Sequence, residues 1–253
     1  MTKTAVAQYD EWHAKLDDEG GIGQWHTLAR ELLEAGRLVA GRAVLEIGCG
    51  RGGFAEWLAS AGAQLTAADV STVAVETGRA RSRQAAITWR VEDIQELSFP
   101  DCSFDVVVSC ETVEHLPDPM RAVRELARVL RPGGALVLTC PNYLGPLGLY
   151  RGYLRLRGRK FQEAGQPINQ FTVVPRTARW LQMAGLRMER FTALGHYLPF
   201  PGRPPIRLHR LDSLWPLKPF ALHSAFRARK TAGARSSRQG EPSSPSQGAA
   251  RES

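Results

Sequence analysis

Three groups of residues in this sequence are spaced for chemistry. Gly48, Gly50, Gly52 and Gly53 follow the apolar run Val44–Leu45–Glu46–Ile47. Gly48, Gly50 and Gly53 fit the G-x-G-x-x-G spacing that brings a backbone close to a pyrophosphate. Gly48, Gly50 and Gly52 fit a tighter G-x-G-x-G. Glu46 separates the two readings. A carboxylate repels a pyrophosphate, but in a partly dry cleft it attracts a cation strongly. Asp69 lies 19 residues past Gly50. An acid at about 20 residues from such a turn ends the second strand, where its two oxygens can accept from both hydroxyls of a ribose. The third group is Glu111-Thr112-Val113-Glu114-His115. An unperturbed imidazole titrates near neutrality and suits general-base work. Glu111, Glu114 and His115 together offer oxygen and imidazole ligands to a divalent ion. The same residues can also simply shape a loop, and all three roles stay open at this point.

These residues need a strand–turn–helix frame. Val44 to Ile47 read as a short buried strand, the glycines as a tight turn, and residues 52–62 as a helix ended by Gly62. Gln64 to Asp69 form a second strand, and Ser71 caps a helix running to about Gln84. Ile87 to Val91 make a third strand, followed by Glu92-Asp93-Ile94. Phe104 to Cys110 is almost continuously apolar, the mark of a parallel strand covered on both faces. It delivers Glu111 to His115 to the carboxyl edge of the sheet, where open α/β sheets bind ligands. A helix over 119–130, a turn at Arg131–Gly134 and a strand over Ala135–Cys140 follow. Residues 141–174 read as irregular, 175–184 as a helix closed by Gly185, and 186–194 as a sixth strand. Pro199 to Pro219 reads as a long connection, and Ala221 to Arg229 as a seventh strand. No internal repeat is visible.

Taken together, Glu-x-Gly-x-Gly-x-Gly after an apolar strand, Asp69, Asp93, the 104–115 strand and loop, and Leu130-Arg131-Pro132-Gly133-Gly134 resemble the class I S-adenosylmethionine (SAM)-dependent methyltransferases over about residues 40–195. Glu111 to Pro119 and Thr139-Cys140-Pro141-Asn142 are most similar to the ubiquinone-biosynthesis O-methyltransferases and their small-molecule relatives. The resemblance implies an α/β, Rossmann-like, seven-stranded, mostly parallel sheet with helices on both faces and the last strand antiparallel. It implies SAM as cofactor, held by Glu46, Gly48, Gly50 and Asp69, with Asp93 on the adenine amino group, Ile94 on the ring, and Cys110 lining the adenosyl site. His115 would be the catalytic base, with Glu111, Glu114 and His115 as the alternative metal set. Residues 1–40 would form a helical lid in which Trp25 and His26 touch SAM. Residues 41–229 would be the catalytic domain. Insertions at about 143–174 and 196–219 would build an acceptor pocket from Tyr150, Tyr153, Phe161, Phe171, Tyr197, Leu198 and Phe200.

Composition bounds these expectations. Hydrophobic residues are 43% of the 253-residue chain, enough for one sizeable core, and no apolar run approaches the ~20 residues of a membrane span. The polar N-terminus and four scattered cysteines, Cys49, Cys102, Cys110 and Cys140, point to reduced thiols in a cytoplasmic protein. Residues 230–253 are rich in Ser, Gly, Pro and Gln and are expected to be disordered. The net charge is +8, and Arg151 to Lys160 is a basic run. That run suits an anionic membrane surface, an acidic acceptor group or a solvated helix face. The expected reaction is methyl transfer to a hydroxyl oxygen of a small molecule. The competing readings are methylation of nitrogen, carbon or RNA, SAM binding without catalysis, and a dinucleotide-dependent oxidoreductase. Glu46 argues against the last. No recognisable RNA-binding domain and no Asn/Asp-Pro-Pro-Tyr motif is present.

Overall fold

The computed structural model describes residues 1–16, 23–84, 86–159, 166, 168–200 and 203–231. In chain order the elements are α1 (Lys3–Ala14), α2 (Gln24–Gly36), β1 (Ala43–Ile47), α3 (Gly53–Ser60), β2 (Gln64–Asp69), α4 (Thr72–Arg81), β3 (Thr88–Val91), β4 (Phe104–Cys110), α5 (Pro119–Val129), β5 (Leu130–Pro141), α6 (Pro146–Leu156), α7 (Val174–Met183), β6 (Leu186–Leu194), β7 (Tyr197–Phe200), β8 (Arg203–Arg207) and β9 (His223–Lys230). Short 3₁₀ turns occupy Val113–His115, His209–Ser213 and Trp215–Phe220.

Seven strands form one sheet in the order β3-β2-β1-β4-β5-β9-β6. β3, β2, β1, β4 and β5 pair in parallel, and the last strand, β9, runs antiparallel to both β5 and β6. The sheet is covered on both faces, which explains the unbroken apolar strands. Alternate residues serve opposite cores. Val44, Val106 and Val108 pack with Leu28, Leu32, Phe54 and Leu58 of α2 and α3. Leu45 and Val107 pack with Val123, Leu126, Trp180 and Leu181 of α5 and α7.

Local signals set the ends of the elements that matter for the site. The Ser71 hydroxyl accepts from Ala74 N–H at 3.1 Å and starts α4. It also donates to Asp10 at 2.6 Å, docking α1 on α4. Asp118 caps α5 by accepting from Arg121 N–H at 3.0 Å, with Pro119 in the first turn.

The N-terminal region divides. α1 lies beside α4, whereas α2 is buried against β9 and β5 as part of the core. Three expectations need correction. The 131–134 turn is absorbed into β5, whose register against β4 slips between Phe104 and Val106. The 141–174 segment is not wholly irregular, because α6 forms there despite Gly148 and Gly152, whose low helix propensity hid it. The 199–219 connection contains a small hairpin, β7–β8, and two 3₁₀ turns. Prolines are tolerated there because each hairpin strand is an edge. β9 extends to Lys230. The rest of the expected disordered tail, from 232 on, lies outside the described residues.

Candidate active site

β1 carries Glu46 and Ile47 to the carboxyl edge of the sheet, and the glycine turn follows. Gly48 and Gly50 sit at φ 79° and 52°, a region that side chains disfavour. A Cβ on Gly48 would strike Thr112 Oγ1 at 2.2 Å. At Gly50 the nearest neighbour of such a Cβ would be His13, 3.7 Å away, so the space over this peptide is open. Gly50 N–H donates to one oxygen of Asp69 at 2.9 Å, and Ser71 N–H donates to the other at 3.0 Å. Each of these oxygens keeps a lone pair for a further donor.

Glu46 is buried, and its Oε2 has no hydrogen-bond partner among the described residues. Burial, reinforced by the charge of Asp69, pushes its carboxyl up to about 8. An unmatched buried carboxyl is costly. A cationic group at the end of β1 would relieve that cost, whereas a pyrophosphate would raise it. The open cradle at Gly50, the double acceptor Asp69 and the orphaned Glu46 therefore fit SAM better than a dinucleotide.

One cleft begins at this turn. Gly48, Gly50, Asp69 and Ile94 line it, as do Glu111, Thr112 and His115 from the loop after β4. Tyr9, Trp12 and His13 of α1 close it from above, and Gln166 reaches it from the insertion after β5. The other expected residues are placed differently, and Glu46, buried under the glycine turn, is itself not part of the cleft lining. Asp93 pairs with the Met1 ammonium and accepts from Gln95 N–H, and it does not line the cleft. Its neighbour Glu92 does, held by Ser98. Cys110 is buried in the core below Thr112, which donates to its carbonyl at 3.0 Å. Trp25 and His26 point into the core side, with Trp25 against His223 and His26 stacked on Phe54. His26 also accepts from Gly23 N–H at the start of α2. Neither lines the cleft.

His115 is buried at the cleft wall. Its Nδ1 lies 2.7 Å from the Ile168 carbonyl, which can only accept, so Nδ1 carries the proton. Nε2 lies 3.5 Å from Glu114 Oε1. Burial lowers the imidazole below its ordinary value, against smaller upward contributions from the Ile168 bond and Glu111. Tyr9 Oη donates to the His115 carbonyl at 2.8 Å, tying α1 to this loop. Burial first, then Glu114 and Asp69, raise the Tyr9 phenol well above its ordinary value.

Glu111 has φ 48°, a strained conformation for a residue with a side chain. Its N–H is held by Thr139, which fixes that conformation. One carboxylate oxygen is buried without a hydrogen-bond partner among the described residues, and the other lies 3.9 Å from His223 Nδ1. Among the described residues no group of three His, Cys, Asp or Glu side chains is placed to hold a metal ion. The loop therefore does not gather Glu111, Glu114 and His115 as a ligand set. His223 carried no sequence signal, because β9 brings it to the site from over 100 residues away. Tyr9 and His13 reach the cleft only because α1 folds over it, which no local pattern indicates.

Of the insertion residues expected to line an acceptor pocket, Tyr150, Tyr153, Phe171, Tyr197, Leu198 and Phe200 do not line this cleft. Tyr153, Phe171, Leu198 and Phe200 are exposed, and Phe161 is outside the described residues. Among the described residues no helix is long and apolar enough to cross a membrane.

Comparison with known proteins agrees with this geometry. A family described as a methyltransferase domain matches residues 45–138. The 27-O-demethylrifamycin SV methyltransferase of Amycolatopsis mediterranei (strain S699) is 34% identical over 195 residues, 73% of this chain and 69% of that protein. A ubiquinone biosynthesis O-methyltransferase of Xanthomonas axonopodis pv. citri (strain 306) is 33% identical over 154 residues, 59% of this chain. The match spans 64% of that relative's length. Among solved structures, a SAM-dependent methyltransferase from Mesorhizobium loti superposes with a TM-score of 0.58 at 19% identity, covering 81% of this chain and 96% of that one. At that identity the likeness speaks for the fold alone.

Proposed function

The chain belongs to the class I SAM-dependent methyltransferases, and from that premise we propose that it moves a methyl group from SAM to a hydroxyl oxygen of a small molecule. The Xanthomonas and Amycolatopsis relatives are named for O-methylation and for methylation of a demethylated antibiotic. Both names support a hydroxyl acceptor. SAM, when bound, supplies a methyl group already activated by its sulfonium. Gly48 and Gly50 would give it room, Asp69 would accept from the ribose, Ile94 would pack on the adenine, and Glu46 would compensate positive charge. Asp93 reaches the adenine amino group only by giving up Met1.

The chain's own task is alignment and proton removal, and alignment alone is worth ~7–11 kcal/mol of barrier. His115 takes the hydroxyl proton at Nε2. The Ile168 carbonyl fixes the ring through Nδ1, and burial keeps it neutral and ready to accept. Once protonated, Nε2–H faces Glu114 Oε1, which stabilises the imidazolium. α1, held by Tyr9 and Asp10, acts as the lid that excludes water. The acceptor enters between the 112–116 loop and the 168–172 segment.

The observation that carries this reading is a buried His115 with one nitrogen pinned to a carbonyl and the ring on the cleft wall. The test is single-turnover methylation of a panel of hydroxylated aromatics by wild type and His115→Ala. General-base loss slows transfer by about 10²–10⁴-fold, with SAM affinity unchanged. An unchanged rate would remove His115 from the chemistry.

A further inference from the structure

The cleft is acidic, and one of its acids is unmet. Asp69, Glu92 and Glu111 line it, and among the described residues no Lys or Arg side chain does. Met1 also lines it, but its ammonium is held by Asp93. Glu92 accepts from Ser98 N–H and Oγ at 2.9 and 2.5 Å and from exposed Arg90 at 3.2 Å. Asp69 is held by the Gly50 and Ser71 N–H groups. The Glu111 carboxylate has no such donors among the described residues.

The Glu111 side chain is 14% exposed, and its Oε1 is buried without a hydrogen-bond partner among the described residues. Its Oε2 lies 3.9 Å from His223 Nδ1, too far for a hydrogen bond. His223 is 8% exposed, and its Nδ1 also lacks a partner among the described residues. Two buried polar groups therefore face one another without meeting, at a cost to both. The chain holds Glu111 in that position. Its N–H donates to both the carbonyl and the hydroxyl of Thr139, each at 3.1 Å.

A primary ammonium would satisfy all of these atoms. Two acceptors 3.9 Å apart can share a nitrogen that stands ~2.8 Å from each. His223 Nδ1 accepts when its ring proton is on Nε2, and the third N–H of the ammonium serves Glu111 Oε1. SAM does not need this carboxylate. Its sulfonium, ammonium and carboxylate sum to a single positive charge, which Glu46 offsets from under the glycine turn. Glu111 therefore remains for the acceptor. It lies on the same loop as His115, and both line the cleft, with Trp12 and Leu116 as apolar wall.

We infer, resting on the methyl-transfer reading above, that the acceptor carries an ammonium group as well as its reacting hydroxyl, and that Glu111 with His223 binds that ammonium. The anchored end then decides which hydroxyl reaches His115 Nε2. The ammonium itself is unchanged in the reaction, since the methyl goes to oxygen and the hydroxyl proton to His115. A carboxylate at the same place on the acceptor would meet Glu111 unpaired, so the site also rejects acidic analogues.

The test compares tyramine and ortho-hydroxybenzylamine with isosteres that carry a methyl or a carboxylate in place of the ammonium. Calorimetric binding to the full chain loaded with S-adenosylhomocysteine reads the preference without turnover, and single-turnover methylation reads it with turnover. At least one amine should bind about tenfold or more tighter than its methyl isostere, as a charged hydrogen bond allows, and the acids should not bind. In Glu111→Gln the ratio of amine to methyl isostere should fall to near one, and in His223→Ala it should narrow severalfold. Thermal melts show whether each variant is folded, and the wild-type ratio needs no variant. Amine selectivity in binding, with no methyl transferred to any compound, sinks the hydroxyl reading and leaves the ammonium site standing. Equal binding of amine and methyl isosteres, binding of no compound in either series, or methylation on nitrogen overturns the inference. So does a folded Glu111→Gln that keeps the ratio, and if it loses SAM affinity instead, the carboxylate belongs to SAM.

Discussion

The chain before Pro141 and the chain after it use apolar residues in opposite ways. From β1 to β5 they are spent on two cores, and alternate residues of each strand feed different helices. That double burial fixes the strand ends, and the strand ends fix Glu46, Gly50, Asp69 and His115. After Pro141 the sheet is completed by β6 and β9, but α6 and the 197–220 segment leave Leu149, Leu156 and Trp215 in the open. The first region therefore dictates geometry, and the second dictates what the molecule meets. Asn142 joins them. Its amide donates to Pro219 and Ala221, and its oxygen accepts from Leu144 and Val174 N–H.

If the two regions divide the work in this way, substitutions should separate them. The largest effect is expected from His115→Ala, ~10²–10⁴-fold in single-turnover rate, with calorimetric SAM affinity unmoved. Because burial lowers the His115 value, the wild-type rate should fall only below the ordinary ~6.5 of an imidazole. The imidazole is a base only when neutral, so the limb lies on the acid side. A pH–rate profile checks this. Next comes Asp69→Ala, which removes a charged acceptor and should weaken SAM binding by about 1.5–3 kcal/mol, while acceptor KM stays unchanged. A shift in both would mean that the regions are not separable. Asn142→Ala leaves buried carbonyls and N–H groups unmet, and should cost about 1–3 kcal/mol of local stability. Hydrogen exchange should quicken in 143–158 and 209–222, with β1 and β4 amides unaffected.

The first region was largely legible in the sequence, for the same physical reason that makes it rigid. Strands covered on both faces write themselves as apolar runs, so 64–69 and 104–110 fall where the pattern puts them. Ser71 and Asp118 announce their helices through caps that depend on near neighbours. The second region was less legible. A hairpin of edges such as β7–β8 needs no buried alternation, and the glycines of α6 mask its period. Leu149 and Leu156 read as core in any hydrophobic pattern, because only the tertiary arrangement shows that nothing covers them. Within the site, the glycine turn and Asp69 were set by short-range spacing. The Glu111–His223 approach and the Tyr9–His115 tie were hidden, because each is made by distant strands or helices meeting. Asp93 shows the converse. Its motif was visible, but its carboxylate is taken by Met1, a partner that no local pattern indicates.

The central claim is that the glycine turn beside Glu46 holds a cationic adenosyl ligand, and calorimetric titration of SAM at several pH values tests it without knowledge of the acceptor. Glu46 is neutral below about 8 in the free protein, and a cation favours its charged form. SAM affinity should therefore rise as the pH increases towards about 8, by up to about tenfold per pH unit, and level off above it. Glu46→Gln should bind weakly and show little of this slope, and NAD should give no binding heat. Saturable NAD binding in the absence of SAM binding, or a SAM affinity that is as pH-dependent in Glu46→Gln as in wild type, would contradict the account.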